Sequence, residues 1–84
     1  MVRIMAVAFA LAIGVASPSA AALMLFVTEQ EAQRHCPADT VVWLNLPSGI
    51  YHFKGQRWYG ATKHGAYVCQ KEADAAGDRA TRSE

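Results

Sequence analysis

The stretch TVVWLNLPSGIYHF, residues 40–53, decides the fold of this chain. Residues 40–45 are mainly β-branched and aromatic, which is the composition of a strand. Residues 47–49, Pro-Ser-Gly, are typical of a turn, and residues 50–53 return as a second strand. The sequence therefore predicts a β-hairpin at this point.

A short helix is predicted before the hairpin. Thr28 and Glu31 have the spacing of a capping box, in which each side chain accepts a hydrogen bond from the backbone of the other residue. The helix should end near His35, because the residue that precedes Pro37 disfavours the helical conformation.

A third strand and a second helix are predicted after the hairpin. Three glycines at five-residue intervals predict tight turns, because no strand-loop-helix pattern of a phosphate site surrounds them: Gly55, Gly60 and Gly65. Residues 66–68 form the strand candidate, and residues 70–76 form the helix, which Gly77 ends. The polar residues 78–84 are expected to fray.

The chain has 84 residues, a formal net charge of +1 and two cysteines. This size allows one small domain and excludes a second, and the charge excludes a strongly basic nucleic-acid-binding protein. Charge is unevenly placed, because residues 1–27 contain only Arg3 whereas all seven acidic residues lie in residues 28–84.

The apolar start of the chain predicts a secretory signal peptide. Arg3 precedes an uninterrupted apolar run over residues 4–16, residues 17–19 (Ser-Pro-Ser) would break a helix, and the alanines at 20–22 suit a signal peptidase. The alternative is an uncleaved membrane anchor, since residues 23–27 are again apolar. A spanning helix needs roughly 20 continuous apolar residues, however, and this stretch is interrupted.

We therefore expect three features of organisation and location. Residues 1–22 form the signal peptide, and residues 23–84 form one domain with an ordered core over residues 28–77. The protein is expected to be secreted or periplasmic, with no stable membrane span after cleavage.

The two cysteines, Cys36 and Cys69, are predicted to form a disulfide bond. A secretory address places them in an oxidising compartment, and a domain of about 60 residues buries too little surface to be very stable on its own. A metal-binding pair or a nucleophile is the alternative, but the two residues are far apart and no Cys-x-x-Cys motif is present. The bond would join the end of the first helix to the start of the second.

These elements together predict the fold class. We expect a small α+β domain with a two- or three-stranded antiparallel sheet, flanking short helices and one disulfide.

Residues 50–67 contain bases and aromatic side chains but no acid. Cations neutralise phosphate or sulfate, and rings stack on bases or sugars, so this combination favours a polyanion or nucleic acid. The candidate binding residues are Tyr51, His52, Lys54, Arg57, Trp58, Tyr59 and Lys63. The simpler interpretation is that strand alternation sends Trp43, Tyr51 and Phe53 into the core, while the bases are only solvated.

The function expected from these residues is that of a non-enzymatic binding module without a cofactor or metal. Its partner would be a polyanion, a nucleic acid or a cell-envelope protein. The alternative is a small secreted nuclease in which His52 and His64 act as general acid and base.

Residues 51–58 (YHFKGQRW) and 72–77 (EADAAG) carry a resemblance to a known family. This pattern resembles the small metal-binding module of the Ada DNA-repair protein. The resemblance implies a strand, a turn and a short helix but no zinc site, because Gln56, Thr81 and Glu84 occupy the positions expected to hold thiolates. Of that set only His52 is a good ligand, so the disulfide would replace the zinc as the stabilising link.

A second resemblance covers more of the chain. The layout CPADTVVW…YHFKGQRWYG…GAYVCQKEADAAGDRA resembles small secreted bacterial proteins without an assigned activity. It implies the same exported, disulfide-bonded domain.

Overall fold

A computed structural model describes residues 22–84, and the predicted signal peptide lies outside the described residues except for Ala22. The fold is a small α+β domain, as the sequence predicts. Its elements are α1 (Glu29–His35), β1 (Val41–Asn45), β2 (Ile50–His52), β3 (Gly65–Cys69), α2 (Gln70–Ala75) and β4 (Arg79–Ala80). The four strands form one sheet in the order β3-β1-β2-β4.

The predicted hairpin is confirmed and forms the middle of the sheet. β1 pairs antiparallel with β2, with Leu44 opposite Tyr51, and antiparallel with β3 on its other side, with Val42 opposite Val68. Residues that face each other across strands share a face of the sheet, so these four side chains form one apolar layer. Ala73 of α2 packs into the same buried cluster.

The aromatic residues of the hairpin divide between the two faces of the sheet. Tyr51 is buried in the core, and Phe53 packs against it in an edge-to-face arrangement. The expectation that Trp43 joins them is wrong, because its neighbours Val42 and Leu44 take the core face and alternation turns Trp43 to the other side. There its Nε1 donates a hydrogen bond to Thr62 Oγ1 over 2.7 Å.

Gly65 has a different role from the one expected. Gly55 and Gly60 have positive φ angles of 95° and 69°, which agrees with the predicted turns. Gly65 instead opens β3, directly beneath the indole of Trp43. A Cβ atom at this position would lie 2.3 Å from Trp43 Cζ2, so glycine is needed here for space.

The two helices begin and end close to the predicted positions. Thr28 Oγ1 accepts from Glu31 N over 3.2 Å, and Glu31 Oε1 accepts from Thr28 N over 3.3 Å, which confirms the capping box. α1 ends at His35 with Cys36 as its C-cap. None of the helices described for residues 22–84 has the length and apolar character needed to cross a membrane.

The C-terminal residues are ordered, contrary to the expectation that residues 78–84 fray. β4 pairs parallel with β2, and Thr81 N donates to Tyr51 O over 2.9 Å. The hairpin leaves the outer edge of β2 unpaired, and α2 returns the chain beside that edge, so the tail finds backbone partners there. The sheet consequently gains a parallel strand that the predicted antiparallel sheet lacked.

The residues before α1 also pack on the domain. Phe26 forms an isolated antiparallel bridge with Tyr67, and Leu23 packs against the core cluster. Together with β4, this extends the packed part of the chain beyond residues 28–77 at both ends.

The predicted disulfide is present between Cys36 and Cys69, whose Cα atoms are 6.3 Å apart. Cys36 is the C-cap of α1, and Cys69 is the N-cap of α2. The bond therefore joins the two helix ends that the sequence indicates.

The loop between β2 and β3 is fastened to α1 through one carboxylate. Lys54 Nζ lies 2.9 Å from Glu29 Oε2, and the hydroxyl of Tyr59 donates to Glu29 Oε1 over 2.8 Å. Both contacts lower the pKa of Glu29. Burial and the bond to Glu29 raise the pKa of Tyr59 well above the ordinary value of 10.0.

Loss of the disulfide should strongly destabilise the domain. The double variant Cys36→Ala/Cys69→Ala is expected to lower the free energy of unfolding by roughly 3–4 kcal/mol, because the crosslink restricts the unfolded chain over a long loop. Urea unfolding measures this change, and the parent in excess dithiol should lose a similar amount. A variant within about 1 kcal/mol of the oxidised parent would contradict this role.

Removal of the Glu29 carboxylate should lower the pKa of Tyr59. In Glu29→Gln the phenolate no longer faces a negative charge, so Tyr59 is expected to ionise at lower pH, as followed by NMR of the tyrosine ring carbons. In the parent the folded pKa exceeds the unfolded one, so the stability that the neutral hydroxyl contributes is present below pH 10.0 and lost as the pH rises through the folded pKa.

Glu31→Gln provides the matched control for this titration, because Glu31 belongs to the same helix but bonds Thr28 instead. Its effect on the pKa of Tyr59 should be negligible. Equal shifts in the two variants would show that Glu29 has no specific influence on Tyr59.

Candidate binding groove

An open groove of about 540 Å³ lies where the turn between β1 and β2, the loop between β2 and β3, and the C-terminal residues meet. We call it the groove. The residues that determine its chemistry are Asn45, His52, Trp58, Thr62, Lys63 and Thr81. Its volume lies within the range of small-molecule binding sites in proteins.

A buried pair formed by His52 and Glu84 holds one wall of the groove together. His52 is only 7% exposed, and its Nδ1 lies 2.5 Å from Glu84 Oε1. The second carboxylate oxygen of Glu84 accepts a hydrogen bond from Trp58 N over 3.1 Å. Glu84 thus links β2, the loop and the end of the chain at a single point.

Trp58 supplies an exposed aromatic surface at this wall. The residue is 41% exposed, which is high for a tryptophan in a small domain. The guanidinium carbon of Arg57 lies 4.7 Å from the centre of the ring, within the range of a cation–π contact. Arg57 therefore places a positive charge over one face of the exposed Trp58 ring.

Lys63 contributes a cation to the lining of the groove, and four hydroxyl groups complete its polar part. The hydroxyls belong to Ser48, Thr62, Thr81 and Ser83. None of the described residues that line the groove is acidic. The groove consequently combines hydrogen-bonding groups, an aromatic ring and positive charge.

Lys54 and Tyr59 lie apart from the groove. Both line a smaller cavity of about 300 Å³ beside α1, together with Glu29 and Asp39. The bond to Glu29 raises the pKa of Lys54 and holds a carboxylate next to its charge. These two candidate residues fasten the loop rather than add to the positive surface.

Tyr51 is also removed from the surface. Its hydroxyl donates to Asp74 Oδ1 over 2.6 Å and accepts from Gln70 Nε2, so it joins the core of the sheet to α2. Burial, and then the contact with Asp74, raise the pKa of Tyr51. Of the seven candidate residues, the structure thus brings His52, Trp58 and Lys63 together in the lining of the groove. Arg57 contacts the ring of Trp58 but does not itself line the groove.

The two histidines of the nuclease alternative are not neighbours. His52 lies on β2 opposite Trp43, whereas His64 precedes Gly65, which is opposite Asn45 on the far side of β1. The two histidines are separated by two strand spacings across the sheet and by three residues along the strands. Their backbones are therefore roughly 14 Å apart. His52 is moreover buried and bonded to Glu84, while His64 is exposed.

The C-terminal contribution to the groove is what sequence reasoning missed. Thr81, Ser83 and Glu84 lie in the segment that was expected to fray. A strand of two residues leaves no alternating pattern in the sequence, and its pairing with β2 spans a distance of about 30 residues. No local signal indicates such a contact.

Groups that could hold a metal ion lie elsewhere. Within residues 22–84 they surround the disulfide, in two overlapping sets: His35, Cys69 and Glu72, and Cys36, Asp39 and Cys69. The groove itself offers one imidazole, that of His52, which already bonds a carboxylate.

Comparisons of the chain with protein-family models, with curated proteins and with solved structures found no match. The resemblances to the Ada-type module and to small secreted bacterial proteins stay predictions. The groove and the residues that form it are therefore the features from which a function can be inferred.

Proposed function

We propose that this protein is an exported, non-enzymatic binding module for a polyanion, with single-stranded nucleic acid as the favoured ligand. The observation that carries the proposal is the exposed ring of Trp58, with Arg57 over one face, in a groove that Lys63 also lines and whose described lining residues include no acid. Stacking on aromatic rings together with cations along a groove is the usual way to bind single strands.

The charge around the groove supports an anionic ligand of modest affinity. Within residues 22–84, neither Arg57 nor Lys63 takes part in an ion pair. Two phosphate contacts on a single strand would give a slope of about −1.4 in a plot of log affinity against log salt. Binding should therefore be clear at low salt and weak at physiological salt.

The aromatic and hydroxyl groups favour a nucleic acid over a polymer that carries charge alone. A base stacked on a tryptophan contributes about 1–3 kcal/mol. The hydroxyls of Ser48, Thr62, Thr81 and Ser83 supply donors and acceptors for sugar and base edges. The groove is large enough for a short segment of one strand.

The positions of His52 and His64 favour a binding function over catalysis. A general base must reach the proton that it abstracts, whereas His52 is enclosed and bonded to Glu84. His64 lies on the far side of β1 and lacks a partner histidine.

Export is supported by the disulfide and by the position of Leu23. Structural disulfides are typical of oxidising compartments. Leu23 packs against the core cluster, and Met24 N donates to Glu72 Oε1 over 3.0 Å. A cut after Ala22 would leave the packed domain intact, whereas a later cut would remove Leu23 and its contact with the core cluster.

Replacement of groove residues should weaken binding to a labelled single-stranded oligonucleotide, measured by fluorescence anisotropy across a salt series. Trp58→Ala is expected to cost about 1–3 kcal/mol through lost stacking. Lys63→Ala should reduce the salt slope by about 0.7, since one phosphate contact is lost.

Lys71→Ala is the matched control, because Lys71 is an exposed lysine of α2 outside the groove. Sulfated polysaccharide serves as the second probe, since it carries charge but no bases. Equal affinities of Lys63→Ala and Lys71→Ala, or no binding at low salt, would refute the proposed site. Binding of polysaccharide that is insensitive to Trp58→Ala would identify a general polyanion surface instead.

The processed protein should be found outside the cytoplasm of a bacterial host with its disulfide formed. Intact mass spectrometry without reductant is expected to show residues 23–84 with both cysteines oxidised. Ala22→Trp should block cleavage, because signal peptidases require a small residue there. Unprocessed, fully reduced protein in the cytosol would contradict export.

A further inference from the structure

Three side chains that can bind metals, those of His35, Asp39 and Glu72, lie next to the disulfide, at the end of β1 away from the groove. His35, Cys69 and Glu72 form one set, and Cys36, Asp39 and Cys69 form another, with donor atoms within 4.8 Å of one another in each. The cluster is built by the end of α1 and the start of α2, the two elements that the crosslink joins. Neither the fold nor the proposed groove uses these donors together.

We propose that reduction of the disulfide uncovers a site for a divalent metal ion of the zinc type, ligated by the thiolates of Cys36 and Cys69, the imidazole of His35 and the carboxylate of Glu72. Two sulfurs, one nitrogen and one oxygen make a ligand set that suits tetrahedral zinc. These are not the positions at which the Ada-type module would place its ligands, so the site is independent of that resemblance.

Cys69 Sγ already lies within 4.8 Å of the donor atoms of His35 and Glu72, and the backbone spacing of the two cysteines suits two ligands of one ion. The Cα atoms of the two cysteines are 6.3 Å apart. Zinc–sulfur distances of about 2.3 Å place two thiolates on one tetrahedral ion roughly 3.8 Å apart. Rotation of the two side chains can open the sulfurs to that separation without moving the helices.

His35 and Glu72 are already held against each other beside the sulfurs. His35 Nε2 lies 2.7 Å from Glu72 Oε2, and Glu72 Oε1 accepts from Met24 N. This contact keeps the imidazole nitrogen and the carboxylate oxygen close to each other and to Cys69 Sγ. The pair therefore presents a nitrogen and an oxygen donor that need little reorganisation.

Glu72 is favoured over Asp39 as the fourth ligand because of their hydrogen bonds. Both carboxylate oxygens of Asp39 accept from backbone groups, Oδ1 from Thr40 N over 2.7 Å and Oδ2 from Lys71 N over 2.9 Å. Those bonds hold the turn before β1 and the start of α2. Glu72 needs only to exchange its contact with His35 for one with the metal.

The conversion from crosslink to metal site requires a dithiol reductant. A thiolate of the reductant attacks Cys36 Sγ, because Cys36 is partly exposed whereas Cys69 is only 1% exposed. The sulfur–sulfur bond breaks and Cys69 leaves as the thiolate. The second thiol of the reductant then releases Cys36, two electrons pass to the protein, and the reductant becomes a disulfide.

The oxidised and metal-bound states exclude each other, because the same two sulfurs carry either the mutual bond or the metal. In the oxidised protein neither sulfur is a thiolate, and only thiolates bind zinc strongly. The metal would restore, in a reducing environment, the link between α1 and α2 that the disulfide provides in an oxidising one.

Cobalt titration of the reduced protein tests this proposal directly. After removal of excess reductant under nitrogen, Co²⁺ is expected to bind with one equivalent and to give thiolate-to-cobalt charge transfer together with the intense visible bands of a tetrahedral ion. Zn²⁺ should displace it, and the oxidised protein should give no such bands. Binding should not require the groove, so Trp58→Ala should titrate like the parent.

Variants distinguish metal binding at the folded site from metal binding by the two thiols of an unfolded chain. His35→Ala is expected to weaken metal binding at least about tenfold, whereas the matched control His64→Ala, a histidine outside the cluster, should leave it unchanged. Zn²⁺ should also raise the Tm of the reduced parent. Absence of tetrahedral bands, equal affinities of His35→Ala and His64→Ala, or no rise in Tm would each overturn the proposal.

Discussion

The bond between Cys36 and Cys69 is the constraint on which the rest of the structure depends. The helices that it joins have seven and six residues, well below the roughly 12–15 residues at which an isolated helix is even marginal in water. Their buried side chains are alanines, Ala32 and Ala73, which contribute little apolar surface. The crosslink compensates by holding both helices to the end of β3, where Cys69 itself is buried.

The three strands β3, β1 and β2 alone would have two unpaired edges. The two ends of the described chain pair with these edges, and the C-terminal end also forms part of the groove. Phe26 pairs with Tyr67 at the β3 edge, while β4 pairs with β2 at the other. The second pairing also carries Glu84 to His52 and to the backbone of Trp58. The shape of the groove consequently depends on the ordered packing of the C-terminal segment.

The sequence predicts what depends on neighbours along the chain and misses what depends on distant pairing. The hairpin, the capping box at Thr28 and the end of α1 follow from local chemistry, and the disulfide follows from the inferred compartment. The face occupied by Trp43 could not be predicted, because alternation allows both solutions and Val42 and Leu44 decide between them. Distant pairing also explains why the candidate binding residues do not all lie at the groove. Lys54 instead bonds Glu29, which is 25 residues away in the chain, and no local pattern indicates that contact.

A domain with equal numbers of acidic and basic residues can still have a locally positive surface, because the described residues that line the groove include Lys63 and no acid. Glu29 meets Lys54 and Tyr59, Glu72 meets His35, and Glu84 meets His52. Within residues 22–84, Arg57 and Lys63 have no such partners, and coulombic effects of paired charges fall off quickly in salt. The distribution of charge around the groove is therefore a local feature that the net charge does not reveal.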